Sequence, residues 1–155
     1  TGKGLAFEQL EAVRLWLLSE PELDVQQVGM MGFCMGGRFA LLYGAQAPLA
    51  VVAPFYGMVP PKAEDLQGIC PVVGGWGEKD MVMGSHGKRL NKHLDKLGVE
   101  HDVKSYPDAG HSYMNNHDTF IFRELGDYTP IRSKYNEAAS EDSWERVFAF
   151  FNKVL

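Results

Sequence analysis

The stretch VGMMGFCMGGRFALL, residues 28–42, is an apolar run that breaks at Gly32 and resumes beyond Gly36 and Gly37, with Cys34 held between the breaks. It reads as a short buried strand, VQQVGMMGF (25–33), turning sharply into a helix over 37–46 that Gly36 and Gly37 open. Gly32-Phe33-Cys34-Met35-Gly36 is the pattern GxCxG. At a strand-to-helix elbow of this kind small residues flank a nucleophile, because the turn is tight enough to push it out above the sheet. A cysteine there would stand at a helix N-terminus, where backbone N–H groups and the helix dipole favour a thiolate. The Met35 N–H would then face a developing oxyanion. Cysteine is also among the most buried residue types, and glycines serve close helix-to-strand packing. Taken alone, the elbow leaves Cys34 divided between packing and attack.

Working outward, Phe7, Leu10, Val13 and Leu17 recur at helical spacing before Pro21, which predicts an amphipathic helix over 6–19. LAVVAPFYG (49–57) reads as a second buried strand ended by Gly57, and MVPPKAEDLQG as a loop with at most a short helix. A third strand follows at CPVVGGWG (70–77). Leu90, Leu94 and Leu97 then place a helix at 85–97, capped by Gly98, and HDVKSYP supplies a fourth strand. Residues 107–135 look irregular. The last helix, 137–153, carries Trp144, Val147, Phe148 and Phe151 on one stripe and starts at Asn136 as its cap. Near-continuous apolar strands alternating with helices define an α/β chain with a parallel sheet of about four strands, covered on both faces, in one domain spanning 1–155. In such sheets chemistry gathers at the carboxyl ends of the strands.

Composition narrows the classes of function. The chain has 155 residues, 45% hydrophobic and 23% charged, which is ordinary for a globular domain. Its formal charge of -5 and its 15 scattered Lys and Arg argue against a nucleic-acid partner, since phosphate binding needs clustered cations. No apolar run reaches the ~18–20 residues of a membrane span, and the start TGKGLAFEQLEAV lacks a secretory layout, so no membrane association and a cytoplasmic setting are expected. Two cysteines, Cys34 and Cys70, make no disulfide framework. His86 and His93 stand seven apart on one helix, His101 begins a strand and His117 lacks a ligand-spaced partner, which excludes an obvious metal site. GMMGFCMGGR lacks the GK[ST] ending of a phosphate loop. The chain opens on Thr1 and runs almost at once into a helix, so it reads as processed or as a piece of something longer.

The strand ends decide between the two readings of Cys34. GWGEKD places Asp80 just past the third strand, and YPDAGH places His111 just past the fourth. Alone, the first would be an exposed loop acid and the second a surface or core histidine. Nucleophile, acid, histidine in that order, each after a different strand, is the triad order of the α/β-hydrolase fold, and the agreement of three placements tips Cys34 toward attack. Asp108 and Asp118 compete as the acid. Asp108, three residues before His111, suits closing the turn YPDAG through its own backbone, which leaves Asp80 the better orienter.

GFCMGGRFALLYGA, VVAPFYG, GEKD, YPDAGHSYMN and YNEAASEDSWERVFAFF, with the spacing between them, resemble the dienelactone hydrolase family, the cysteine branch of the α/β-hydrolases, over nearly the whole chain. The resemblance implies Cys34 as nucleophile, His111 as general base and acid, and Asp80 as orienter of the imidazole. It also implies that Tyr56 and Met81 face the substrate pocket, that the substrate is a small ester or lactone, and that no cofactor is needed. A family member would carry an upstream portion, roughly the first third of a domain, holding the second oxyanion N–H and a glutamate and an arginine near the cysteine. Four residues past His111, where the family offers an arginine, stands Asn115, which points away from dienelactone itself as substrate. Without upstream strands the elbow strand leaves an apolar edge unpaired, so a second copy (a homodimer) or the missing segment is expected to cover it. Two rival readings remain: a non-catalytic piece serving assembly or binding, and another cysteine enzyme such as a thiol peptidase or redox protein. Cys70 begins the third strand, at the end away from Cys34, which disfavours the redox version.

Overall fold

The computed structural model describes residues 4–116 and 126–155. Helix α1 (Leu5–Ser19) precedes strand β1 (Gly29–Phe33), helix α2 (Met35–Gly44) and strand β2 (Val51–Phe55). A 3-10 turn at Ala63–Leu66 leads to strand β3 (Val72–Gly77), helix α3 (His86–Leu97) and strand β4 (His101–Tyr106). A second 3-10 turn (Gly126–Tyr128) precedes helix α4 (Glu137–Val154). All four strands are parallel and lie in chain order, β1-β2-β3-β4.

The centre of this sheet is dry, as the unbroken apolar strands require. Val51, Val52, Ala53 and Phe55 of β2 and Val72, Val73 and Trp76 of β3 are all fully buried. Adjacent residues of β3 face opposite layers: a Cβ on Gly75 would meet Tyr113, which hydrogen-bonds Ser143 of α4, whereas Gly87 of α3 lies against Trp76. Helices α3 and α4 therefore cover opposite faces. The expected α/β architecture and its four strands are present, with every carboxyl end on one edge.

Several details differ from the sequence reading. Strand β1 is five residues long rather than reaching back to residue 25, because its partner β2 begins opposite Gly29, at Val51. On α1, Val13 is 55% exposed; the inward side is shared by Phe7, Leu10 and Arg14, since Arg14 and Tyr43 both hydrogen-bond Glu11 and draw that side toward α2. On α4, Val147 is buried but Trp144 and Phe148 are exposed and stack on each other 5.7 Å apart. At 3.6 residues per turn they sit about 100° from the Ser140–Ser143–Val147 row that meets the sheet. His117 and Asp118 lie outside the described residues.

Asn136 caps α4 as its residue type predicts, its side chain accepting from the Ala139 N–H at 3.0 Å. Its amide also donates to the Asp108 carbonyl at 3.2 Å, and its backbone N–H to the Tyr113 carbonyl at 3.0 Å, so the cap ties α4 to the segment around residue 111. Asn136→Ala is expected to lower unfolding free energy by about 1–2 kcal/mol in denaturant titrations, while Asn136→Asp, which keeps the cap oxygen, should recover about half.

Candidate active site

The break in the opening stretch is a backbone device. Cys34 has φ 53° and ψ −116°, a left-handed, strained conformation for a side-chain-bearing residue, and it stands as the N-cap of α2 with its side chain exposed. Its N–H donates to the Phe55 carbonyl at 3.0 Å, and its own carbonyl accepts from Gly37 N–H at 3.1 Å, which ties the turn to β2 on one side and to α2 on the other. Gly32 is compulsory: a Cβ there would lie against the backbone of Gly36 and 2.9 Å from the Gly37 nitrogen. The motif's second glycine behaves otherwise. A Cβ on Gly36 meets nothing within 4 Å, and the close approach falls instead on Gly37, 2.9 Å from the Phe55 carbonyl oxygen. Met35 is 68% exposed, and as the first helical residue its N–H has no intrahelical acceptor.

Past β3 and β4, Asp80 and His111 meet. Asp80 Oδ2 lies 2.7 Å from His111 Nδ1, and Oδ1 accepts from the backbone N–H groups of Val82 and Met83, both at 2.9 Å. The carboxylate is 3% exposed and the histidine 7%. Burial alone would raise the Asp80 carboxyl, but the hydrogen bonds from His111 and from the Met83 and Val82 amides outweigh it and hold the pKa below the usual range. Asp108, the competing acid, points into solvent beside Lys79, 3.5 Å away, and has no part in this pair. The histidine is fixed through its backbone as well: its N–H donates to the Ile131 carbonyl at 2.8 Å, and Ser112 after it is left-handed at φ 55°.

The lowered Asp80 pKa carries a sign. A folded-state pKa below the unfolded value stabilises the fold above the unfolded pKa, and that stabilisation is lost as pH falls through the folded value. Thermal stability is expected to decline below about pH 4, and Asp80→Asn should flatten that part of the melting-temperature profile while lowering stability at neutral pH.

Tyr56, just past β2, lies near both the cysteine and the histidine. It is 1% exposed, has φ 39°, and its ring packs 5.1 Å from the imidazole and 5.9 Å from Phe33. Burial, and then the nearby Cys34, push its phenol well above the ordinary range. Its hydroxyl reaches toward Asn115 Oδ1 at 3.5 Å. Met81 follows Asp80, with its N–H on the Pro130 carbonyl at 3.1 Å and its side chain 77% exposed. The four strand ends thus carry Cys34, Tyr56, Asp80 and His111. The Cys34 side chain is exposed at this edge. Cys70 is half-buried before β3, at the opposite edge of the sheet, with burial pushing its thiol up to about 11. Among the described residues no cluster of His, Cys, Asp or Glu is placed to hold a metal ion, and no helix is long and apolar enough to cross a membrane. Tyr113, two residues past His111 and fully buried, escaped the sequence reading, because a lone tyrosine after a histidine carries no spacing signal.

A parallel sheet with a cysteine at a strand-to-helix elbow and an Asp–His pair on the following strand ends defines an α/β-hydrolase fold. Solved structures agree: m3DLH superimposes with a TM-score of 0.71 at 21% identity, over 96% of this chain and 65% of its own. The carboxylesterase Cest-2923 from Lactobacillus plantarum WCFS1 also gives 0.71, at 14% identity, over 97% of this chain and 68% of its own. In sequence, the carboxymethylenebutenolidase of Rhodococcus opacus is 31% identical over 145 residues, covering 85% of this chain and 52% of the relative. The dienelactone hydrolase family model matches residues 3–155, and the chain belongs to that family. It spans about half the length of the curated relatives it matches.

Proposed function

We propose that the chain carries the nucleophile, histidine and acid of a hydrolase acting on small esters or lactones through a thioester acyl-enzyme. The observation that carries this reading is the buried Asp80–His111 hydrogen bond at the strand edge that also presents Cys34. With Nδ1 held by Asp80, the other imidazole nitrogen is left to take the Cys34 proton. The sulfur then bonds to the carbonyl carbon while the carbonyl π electrons move onto oxygen, which the Met35 N–H steadies. Collapse of that adduct breaks the carbon–alkoxy bond, and the departing oxygen takes the proton from His111. Water, deprotonated by His111, attacks the thioester, and the released thiolate recovers the proton. Tyr56, buried against the imidazole, and Met81, exposed beside Asp80, are the substrate contacts of this reading. Asn115 offers no charge to a substrate carboxylate, which favours neutral esters over dienelactone. No cofactor enters the scheme.

The test is hydrolysis of chromogenic acetyl and butyryl esters and of a simple lactone by the complete protein, with alkylation of Cys34 measured alongside. Turnover with a reactive thiol supports the reading; neither turnover nor thiol reactivity leaves the assembly-module reading in its place. Hydrolysis of peptides in preference to esters would instead identify a thiol peptidase.

We further propose that a polypeptide partner covers the free side of the sheet, either a second copy or an upstream segment. Among the described residues β1 pairs only with β2. Beside it a groove of about 410 Å³ runs past Leu18, Val28 and Leu49, and another of about 730 Å³ lies between α1 and α2. No residue of α1 is buried, and Leu15 and Trp16 are more than half exposed. An apolar edge and helix of this kind call for cover. Light scattering is expected to give a dimer of this chain or a complex with a further segment; a well-behaved monomer would count against it. Should the second oxyanion donor come from that partner, this chain alone would turn over about 10²–10³ times more slowly than the completed enzyme.

A further inference from the structure

We propose that Tyr113 is a positioning residue for His111, held by the bond from its hydroxyl to Ser143, so that helix α4 sets where the imidazole stands relative to Cys34. The inference rests on the reading of His111 as the base for Cys34. The chain leaves His111 through Ser112 in the left-handed region, and this lets His111 and Tyr113, at 7% and 0% exposure, both point inward. Tyr113 runs beneath the site. Its ring meets Tyr56 edge-on at 5.5 Å, and Tyr56 in turn lies tilted 5.1 Å from the imidazole, so the three rings form one continuous chain of contacts.

The far end of that chain of rings is anchored. The Tyr113 hydroxyl lies 2.8 Å from Ser143 Oγ, whose one proton goes to the Ala139 carbonyl at 2.7 Å or the Tyr106 hydroxyl at 2.9 Å, and this leaves the tyrosine as donor to the serine. Tyr106 stands beside this bond, 2.9 Å from Ser143 Oγ, and is held by Asp142 at 2.7 Å and by Arg146 at 3.0 Å. Arg146 also donates to the Asp102 carboxylate at 2.9 Å, which closes the network onto β4. The sheet makes room for the hydroxyl at Gly75, where a Cβ would come well inside the 3.0 Å that real Cβ atoms keep from a neighbour. The Tyr113 carbonyl is held separately by the Asn136 N–H. Removing the hydroxyl leaves Ser143 its Ala139 partner and leaves the ring in its hole, so Tyr113→Phe keeps the fold. What it removes is the fixed depth of the ring under Tyr56.

The measurement is the rate of Cys34 carboxamidomethylation by iodoacetamide under native conditions, read by mass spectrometry on the Cys34 peptide, across the range in which imidazoles and thiols titrate. His111→Ala supplies the reference for a cysteine without its base. Tyr113→Phe and Ser143→Ala are each expected to move the pH profile toward that reference, slowing alkylation at neutral pH by about fivefold, since misplacement by about 1 Å can cost on the order of 100-fold. The double variant should be no slower than Ser143→Ala alone, because the serine variant already removes the Tyr113–Ser143 bond together with the contact of the serine to Tyr106. A purely structural role would lower the melting temperature and leave the profile in place. Tyr113→Phe and Ser143→Ala profiles that overlay wild type while His111→Ala departs overturn this inference alone. A His111→Ala profile that overlays wild type overturns the reading of His111 and the inference with it. Should Tyr113→Phe not fold, Ser143→Ala decides in the same way.

Discussion

Replacing Cys34 with alanine is expected to lower kcat for a chromogenic ester by about 10⁵–10⁶ in the complete enzyme, with KM changed little, because removal of a triad nucleophile leaves only binding and oxyanion stabilisation. His111→Ala should fall nearly as far, and the double variant no further, since the two groups act as a unit. Asp80→Asn is expected to cost about 10⁴, because the amide would hold the imidazole in the wrong tautomer. Steady-state kinetics on the four variants, with circular dichroism to confirm folding, check this. Substantial ester hydrolysis by folded Cys34→Ala would remove Cys34 from the chemistry.

The largest effect on stability is expected at Gly32. A methyl group there meets the backbone of Gly36 and the Gly37 nitrogen, none of which can move without unwinding the first turn of α2 or pulling β1 from β2. Gly32→Ala should therefore lower unfolding free energy by at least about 3–5 kcal/mol, the range reached when backbone strain and lost packing combine, and much of the protein should fail to fold. The control is Gly36→Ala in the same pattern. With no atom within 4 Å of the new methyl and a helical backbone to support, it is expected to be neutral or to stabilise by about 0.5–1 kcal/mol. Chemical denaturation of both variants distinguishes a steric requirement at one position from a general preference for small residues around the cysteine.

The contrast between these glycines shows where reading a sequence succeeds here and where it stops. Strand order, the parallel sheet and the placement of Cys34, Asp80 and His111 after successive strands were legible, because continuous apolar runs and the glycines and prolines between them are local signals. Turn chemistry predicted that Asp108 closes the turn YPDAG on its own backbone, but its side chain lies out in solvent against Lys79, and it is Asp80 that meets His111. What stayed hidden depends on three-dimensional approach. GxCxG does not reveal that Gly37, not Gly36, touches β2. Trp144, Val147, Phe148 and Phe151 share a helical stripe by spacing, yet Val147 is buried and Phe151 packs against Gly29 of β1 while Trp144 and Phe148 stay exposed. Arg14 turns inward on α1 for a partner, Glu11, that is itself held by a tyrosine 32 residues away. The contacts from His111 through Tyr56 to Tyr113 and Ser143 join three segments of chain, and no periodicity records them.

The central claim, that Cys34 attacks an ester carbonyl with His111 as its base, is tested most directly by trapping the acyl-enzyme. The complete protein is mixed with an activated acetyl ester, quenched in acid during turnover, digested, and the Cys34 peptide weighed. The account predicts an acetyl group on Cys34 that hydroxylamine removes, that does not form in Cys34→Ala, and that forms far more slowly in His111→Ala. Steady ester turnover with Cys34 unmodified, or with the acetyl group on another residue, would contradict it.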